Sequence, residues 1–381
     1  MFSRTLLVAL MTLPAFAADP VTGTNPFFTE WKTPFGVPPF ASIQEEHFLP
    51  ALKEGMARQK LEVAAITASK EAPSFQNTVV ALEQTGQFSD RVMSVFSNLV
   101  GAETTAKLQA VNREAMPLLS AHRDDIQFDP ILFKRVKAVW DARASLKLEP
   151  DQARLLERTY KGFVRSGAAL DAAAQTRMRA INNEQSRLGV DFGDRLLKAT
   201  KGFSLVVTDA KDLAGLPEGT RVAAAAAAKK AGQDGKWLFT LDGPSIWPFL
   251  EYAQNRELRR RLLTGYLERC NQGGDTDTNA IVSRVAALRA EKAKLLGYRT
   301  WADFVLEENM AKDPKGVYGL LDQIWKPALE VAKRERAELQ AMMAKDLPGQ
   351  KLEPWDWRYY AEKVKQAKYD FDEESVKPYF A

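Results

Sequence analysis

The chain is 381 residues long, 45% hydrophobic and 27% charged, a composition that builds one large core or two ordinary ones and excludes a disordered chain. Its 53 Lys and Arg exceed its 49 Asp and Glu by a formal charge of +4, scattered rather than blocked, so nucleic-acid binding has little electrostatic support. A single cysteine, Cys270, excludes an intramolecular disulfide and leaves stability to packing.

The first segment reads as an export signal, 1–17. Arg4 precedes an apolar run at 5–13, Pro14 follows, and Ala15-Phe16-Ala17 has the small-x-small pattern of a cleavage site. Cleavage after Ala17 is expected, giving a periplasmic or secreted protein. A buried core helix in the same place would carry a polar face, which this segment lacks. The run is too short to span a bilayer and no later run of 18 apolar residues occurs, so no membrane span is expected.

The region 18–200 begins with 26–39, dense in Pro and aromatics, which predicts an extended surface arm anchored by its rings. From Ile43 to about Thr200 apolar residues recur at helical spacing, as in Ile131, Leu132, Val136 and Val139, with breaks at Pro73, Gly101, Pro130 and Pro150. That pattern predicts a run of antiparallel helices. Asn77-Thr78 before an apolar run reads as an N-cap. At 201–243 the pattern changes to a small α/β insertion. Residues 203–207 and 236–241 are β-prone, flanking an Ala-rich helix at 221–230 closed by Gly232, with Gly235 in a turn.

The last region, 244–381, is expected to be helical. A helix opens at Pro244 or Ser245 and runs through Arg269, a Gly- and Asp-rich loop covers 272–278, and Ile281, Val285, Leu288 and Leu296 lay out another helix ended by Gly297. Helix continues through Lys345, and a Pro-Gly break precedes a last segment at 355–368. No repeat at a fixed period is visible.

Residues for chemistry are sparse. A hydrolytic zinc site needs three converging ligands, usually two His one helical turn apart with a Glu beside the first. Only His47 and His122 exist, and neither stands in an H-E-x-x-H pattern. His47 reads as a first-turn residue and His122 as a packing residue. No G-x-S-x-G elbow, phosphate loop or dinucleotide fingerprint occurs. The carboxylates Glu307-Glu308, Asp124-Asp125 and Asp372-Glu373-Glu374 read as solvated helix faces rather than acid/base pairs. No catalytic and no metal residue is therefore assigned, and substrate-binding residues stay unknown.

Several segments, in order, resemble the N-terminal half of the thimet oligopeptidase family of zinc metallopeptidases, in its peptidyl-dipeptidase and oligopeptidase A branch. They are Asn25-Pro26-Phe27, His47-Phe48-Leu49-Pro50-Ala51, Pro73-Ser74-Phe75-Gln76-Asn77-Thr78, Leu118-Leu119-Ser120-Ala121-His122 and Leu213-Ala214-Gly215-Leu216-Pro217. Further on come Asn255-Arg256-Glu257-Leu258-Arg259, Ala293-Lys294-Leu295-Leu296-Gly297-Tyr298 and Trp355-Asp356-Trp357-Arg358-Tyr359-Tyr360. The resemblance implies a mainly α, zincin-like oligopeptidase lobe with a small β insertion near 202–242. It also implies zinc-dependent release of C-terminal dipeptides from short peptides in the complete enzyme. The family's H-E-x-x-H would come after Ala381, so this chain alone is expected to bind no zinc, to be inactive, to expose an apolar surface and to take a complementing C-terminal catalytic fragment as partner. The alternative is a non-catalytic helical module for peptide binding or scaffolding.

Overall fold

The computed structural model describes residues 25–369, 376, 379 and 380. The signal reading at 1–17 and the acidic triplet at 372–374 lie outside them. The described chain is mainly α-helical with one two-stranded antiparallel sheet, the fold class that periodicity indicates. It divides into two compact units, residues through 72 with 76–115, and residues 73–75 with 116 onward.

In the first unit, the Asn25 side chain accepts a hydrogen bond from the Phe27 N–H at 3.1 Å and donates to the His47 carbonyl at 2.8 Å. The arm at 26–39 is not fully extended. It winds into two short 3-10 turns, Pro26–Phe28 and Pro34–Gly36, because proline fixes φ near the value that a first helical position requires. Its anchor is Phe27, buried 5.3 Å from the ring of Phe48, while Phe35 and Phe40 are exposed. Helix α1 (Phe48–Ala68) then runs to the loop before a π-helical turn, Phe75–Val80, that leads into the short α2 (Ala81–Glu83). Asn77 and Thr78 sit inside that turn rather than capping it. The Asn77 amide reaches back to the Ala72 carbonyl at 3.0 Å, and Thr78 is buried. Helix α3 (Gln87–Ala102) packs on α1, with Phe96 5.1 Å from the ring of Phe48 and Val92, Val95, Leu52, Val63 and Ile66 buried, each fully buried side chain contributing about 1.5–3 kcal/mol.

Helix α4 (Ala106–Gln127) belongs to the first unit through Ala115 and to the second from Met116. In the second unit, α5 (Pro130–Asp141) and α6 (Pro150–Ser166) both start on the prolines read from the sequence, preceded by Asp129 and Glu149. The Asp129 carboxylate accepts from the Ile131 and Leu132 N–H groups, each at 2.8 Å, satisfying orphan donors of the first turn. The pair is held by Trp140 stacked on Tyr160 at 4.7 Å and Phe133 on Phe163 at 6.0 Å. Next comes α7 (Ala172–Gly202), 31 residues long.

The change of pattern at 201–243 is a real change of structure. Strand β1 (Leu205–Val207), α8 (Glu218–Lys230) and β2 (Trp237–Phe239) follow, with Leu205 opposite Phe239 and Val207 opposite Trp237. The inward Leu205, Val207 and Phe239 join Leu213, Phe249 and Leu262 in one buried cluster. Gly215 sits at φ +89°, where a Cβ would lie 2.2 Å from the Tyr252 carbonyl oxygen. Only glycine fits that backbone approach.

One expected helix is two. Helix α9 (Gly243–Tyr252) and α10 (Arg256–Leu267) are separated at 253–255. Asn255 restarts the helix by accepting from the Leu258 N–H at 3.1 Å, and Arg259 takes the freed carbonyls of Ala253 and Gln254 at 2.7 and 3.1 Å. Ser245 lies inside α9, its hydroxyl accepting from the Thr240 N–H at 3.0 Å. Helix α11 (Asn279–Leu295) ends as expected at Gly297, φ +82°, with the Tyr298 N–H on the Ala293 carbonyl at 2.9 Å. Then come α12 (Trp301–Leu306), α13 (Pro314–Asp346) and α14 (Trp357–Tyr369). The end of α13 is buried with α14 through Leu339, Met343, Leu352 and Tyr360.

Candidate functional site

Two of the sequence segments singled out above meet in one buried ion cluster. Asp356, with no solvent exposure, accepts from the Arg256 Nη2 at 2.7 Å, the Arg259 Nη2 at 2.9 Å and the Glu353 N–H at 3.1 Å. Arg259, 1% exposed, lays its guanidinium over the Tyr359 ring at 4.1 Å. Beside it, Arg358 lies over Trp247 at 4.3 Å and pairs with Glu251 at 3.2 Å. Burial alone pushes the Asp356 carboxyl up. The hydrogen bonds from Arg256, the Glu353 N–H and Arg259 outweigh it and hold the group below its usual range. The cluster locks the broken turn before α10 to the start of α14. It was not assigned from sequence, although two Arg one turn apart after an N-cap, and an Asp flanked by Trp, were the available signals.

The carboxylates read as solvated faces are more engaged than that. Asp124 is buried on α4 and accepts from the Asn182 amide at 2.7 Å, while Asn182 in turn accepts from the Lys292 ammonium at 2.7 Å. Burial pushes the Asp124 carboxyl up and the Lys292 ammonium down, because a low-dielectric site disfavours both charged forms. Asp125 pairs with Arg179 at 2.8 Å. Glu307 accepts from the Tyr298 hydroxyl at 2.6 Å and pairs with Arg165, whose guanidinium also donates to the Phe304 carbonyl at 2.7 Å. Glu308 lies 3.5 Å from Lys161. These groups tie helices together, and none faces a second carboxylate across a cleft in the way a paired acid/base mechanism needs.

The two histidines keep the roles that their contexts suggest. His47 closes the turn Glu45–His47, its Nδ1 accepting from the Gln44 N–H at 3.0 Å, and His122 is buried on α4. Among the described residues no three His, Cys, Asp or Glu side chains come together in a way that could hold a metal. A catalytic zinc does not fit the residues described, and no reaction step is derived through one.

What stands out on the surface is α13. From Pro314 to Glu338 none of its side chains is buried, and Tyr318, Leu320, Leu321, Ile324, Trp325, Leu329 and Val331 are all exposed, Trp325 by 66%. The exposed apolar residues run from Tyr318 to Val331, about 20 Å along the helix axis, and an exposed apolar patch of this kind is the usual mark of an interaction surface. Among the described residues no helix is long and apolar enough to cross a membrane.

The family model "Peptidase family M3" matches residues 249–381, the stretch that holds the Asp356 cluster and α13. The chain is 37% identical over 360 residues to dipeptidyl carboxypeptidase of Escherichia coli, covering 94% of this chain and 53% of that protein. The chain belongs to peptidase family M3. It is also 30% identical to oligopeptidase A of Salmonella typhimurium over 94% of its length and 52% of that protein, and 24% identical to saccharolysin of Saccharomyces cerevisiae over 81% and 44%. As an M3 chain it spans about half the length of the curated relatives it matches. The resemblance drawn from the segments at 213–217, 255–259 and 355–360 therefore identifies the right family. The Asp356 cluster gives two of those M3-like segments a physical reason to occur together.

Proposed function

We propose that this chain is the non-metal part of an exported M3 peptidase that hydrolyses short peptides with release of C-terminal dipeptides, and that its α13 is the seat for the part that supplies the zinc. The observation that carries the reading is the long apolar face of α13, which lies inside the M3-matched stretch. The likeness to dipeptidyl carboxypeptidase supports the reaction class, and the presence of only two histidines, neither in an H-E-x-x-H pattern, supports inactivity of these 381 residues alone.

The test uses purified chain, dialysed and assayed for zinc and for dipeptide release, alone and mixed with a polypeptide covering the remaining length of a dipeptidyl carboxypeptidase. The expected result is no stoichiometric zinc and no turnover alone, with chelator-sensitive dipeptide release on mixing. One zinc per chain with unaided cleavage would overturn the reading. Peptide capture without cleavage in either state would favour a binding or scaffolding module instead.

A further inference from the structure

The apolar face of α13 is self-complementary. At 3.6 residues per turn, the Val, Leu, Ile, Ala and aromatic residues of 317–332 fall within about 180° of the helix circumference, while Asp322, Lys326, Glu330 and Lys333 lie outside that arc. Reversing the helix about the step between Ile324 and Trp325 maps this apolar set onto itself. Tyr318 then falls opposite Val331, Leu320 opposite Leu329 and Leu321 opposite Ala328. A two-fold interface requires this property, because residue i of one copy meets j of the other while j meets i. Tyr318 and Leu321 each meet a smaller side chain, which lets facing layers interdigitate. In the same register Asp322, Lys326 and Glu330 fall opposite Pro327, Gln323 and Gly319, so no like charges oppose one another along this stretch. Parallel pairing would instead set Trp325 against Trp325 and Lys326 beside Lys326.

The area is sufficient for association. The exposed parts of the large apolar side chains on this face, two of them aromatic, amount to roughly 600–700 Å² per copy. Two copies would bury about 1,200–1,400 Å², within the range of about 1,200–2,000 Å² that specific interfaces occupy. We propose that α13 pairs with α13 of a second copy of this chain, antiparallel about the Ile324–Trp325 step, so that the chain on its own is a homodimer. This inference rests on the reading of α13 as an exposed seat. It adds that the two occupants exclude each other, the second copy leaving when the remaining M3 polypeptide takes the face.

The experiment is sedimentation velocity of the full chain across the micromolar range, alone and with the polypeptide used for complementation. The chain alone should sediment at twice its own mass and fall to the monomer on dilution. Ile324→Glu should be monomeric with an unchanged circular dichroism spectrum, and Lys326→Glu, outside the apolar arc, should stay dimeric. Oxidation should cross-link Ile324→Cys across the two-fold axis. It should not cross-link Tyr318→Cys, whose two copies would stand about 20 Å apart along the axis, nor the wild type, whose one cysteine is buried. A monomer at every concentration, open-ended oligomers, a dimeric Ile324→Glu protein, a monomeric Lys326→Glu protein or a cross-link at position 318 would each overturn the pairing. So would a homodimer that stays intact while chelator-sensitive dipeptide release appears on mixing. A monomer that still complements defeats the pairing and leaves the peptidase reading standing, whereas a homodimer of the stated geometry that never complements supports the pairing and defeats that reading.

Discussion

Asp356 has no contact with solvent, yet two guanidinium groups and a backbone N–H converge on it. Removing it strands Arg259, which stays protonated despite burial, so Asp356→Ala is expected to cost about 3–5 kcal/mol in urea unfolding. The double variant Asp356→Ala with Arg259→Met should recover part of that loss, because removing both partners leaves no buried charge uncompensated. The sign of the pH dependence follows from the lowered carboxyl. A group whose folded pKa lies below its unfolded value, about 3.9 for Asp, stabilises fully above the unfolded value and loses that contribution as pH falls through the folded one. The stability gap between the wild type and Asp356→Asn should therefore hold steady from about pH 7 to 5 and shrink below about pH 4. A gap that stays constant down to the acid transition would show that Asp356 is not held as a carboxylate. The sequence displayed both halves of this cluster as separate segments. Their meeting was illegible because Arg259 and Asp356 are 97 residues apart, and local periodicity carries no information about which helix ends adjoin.

At the scale of elements, the helices with strong start signals were legible. Pro130 and Pro150 stand where α5 and α6 begin, and Gly297 stands just beyond α11. What failed were boundaries set by tertiary contacts. The single helix read across 244–269 misses the break at 253–255, because that break is stabilised by Arg259 on the loose carbonyls rather than by a Pro or Gly. Asn77-Thr78 has the chemistry of a cap, but the backbone there winds as a π-turn. Helix α13 illustrates the converse. Its helical character through Lys345 was legible, whereas the exposure or half-exposure of its first 25 residues was not. If that face is a seat for a partner, charging it should cost the isolated chain little. Leu321→Glu combined with Trp325→Glu is expected to lower dye binding and aggregation while shifting the unfolding free energy by less than about 0.5 kcal/mol per site, the range for surface positions. The same variant should fail to complement in the mixing assay. A loss of several kcal/mol would mean instead that the face is covered within the chain itself.

For the molecule as a whole, family and fold class were legible because they depend on the order of many segments and on periodicity summed over long windows. Activity was not, because an H-E-x-x-H motif, the local signature on which such a reading rests, does not occur in these residues. Export is the remaining whole-chain claim, and it joins two features of the sequence. The proposal takes Arg4, the apolar run at 5–13 and Ala15-Phe16-Ala17 as a cleavable leader, and Cys270 is the one cysteine, 8% exposed. A chain sent to an oxidising compartment with one buried thiol neither needs a disulfide nor readily forms an intermolecular one. Expressed with its leader in a bacterium, the protein should be recovered from the periplasm beginning at Ala18. It should run as a monomer on non-reducing gels, and its unfolding midpoint should be the same with and without reductant. Soluble cytoplasmic protein retaining Met1 would defeat the export reading. A disulfide-linked dimer in the periplasm would show that Cys270 is reached by a second chain despite its burial.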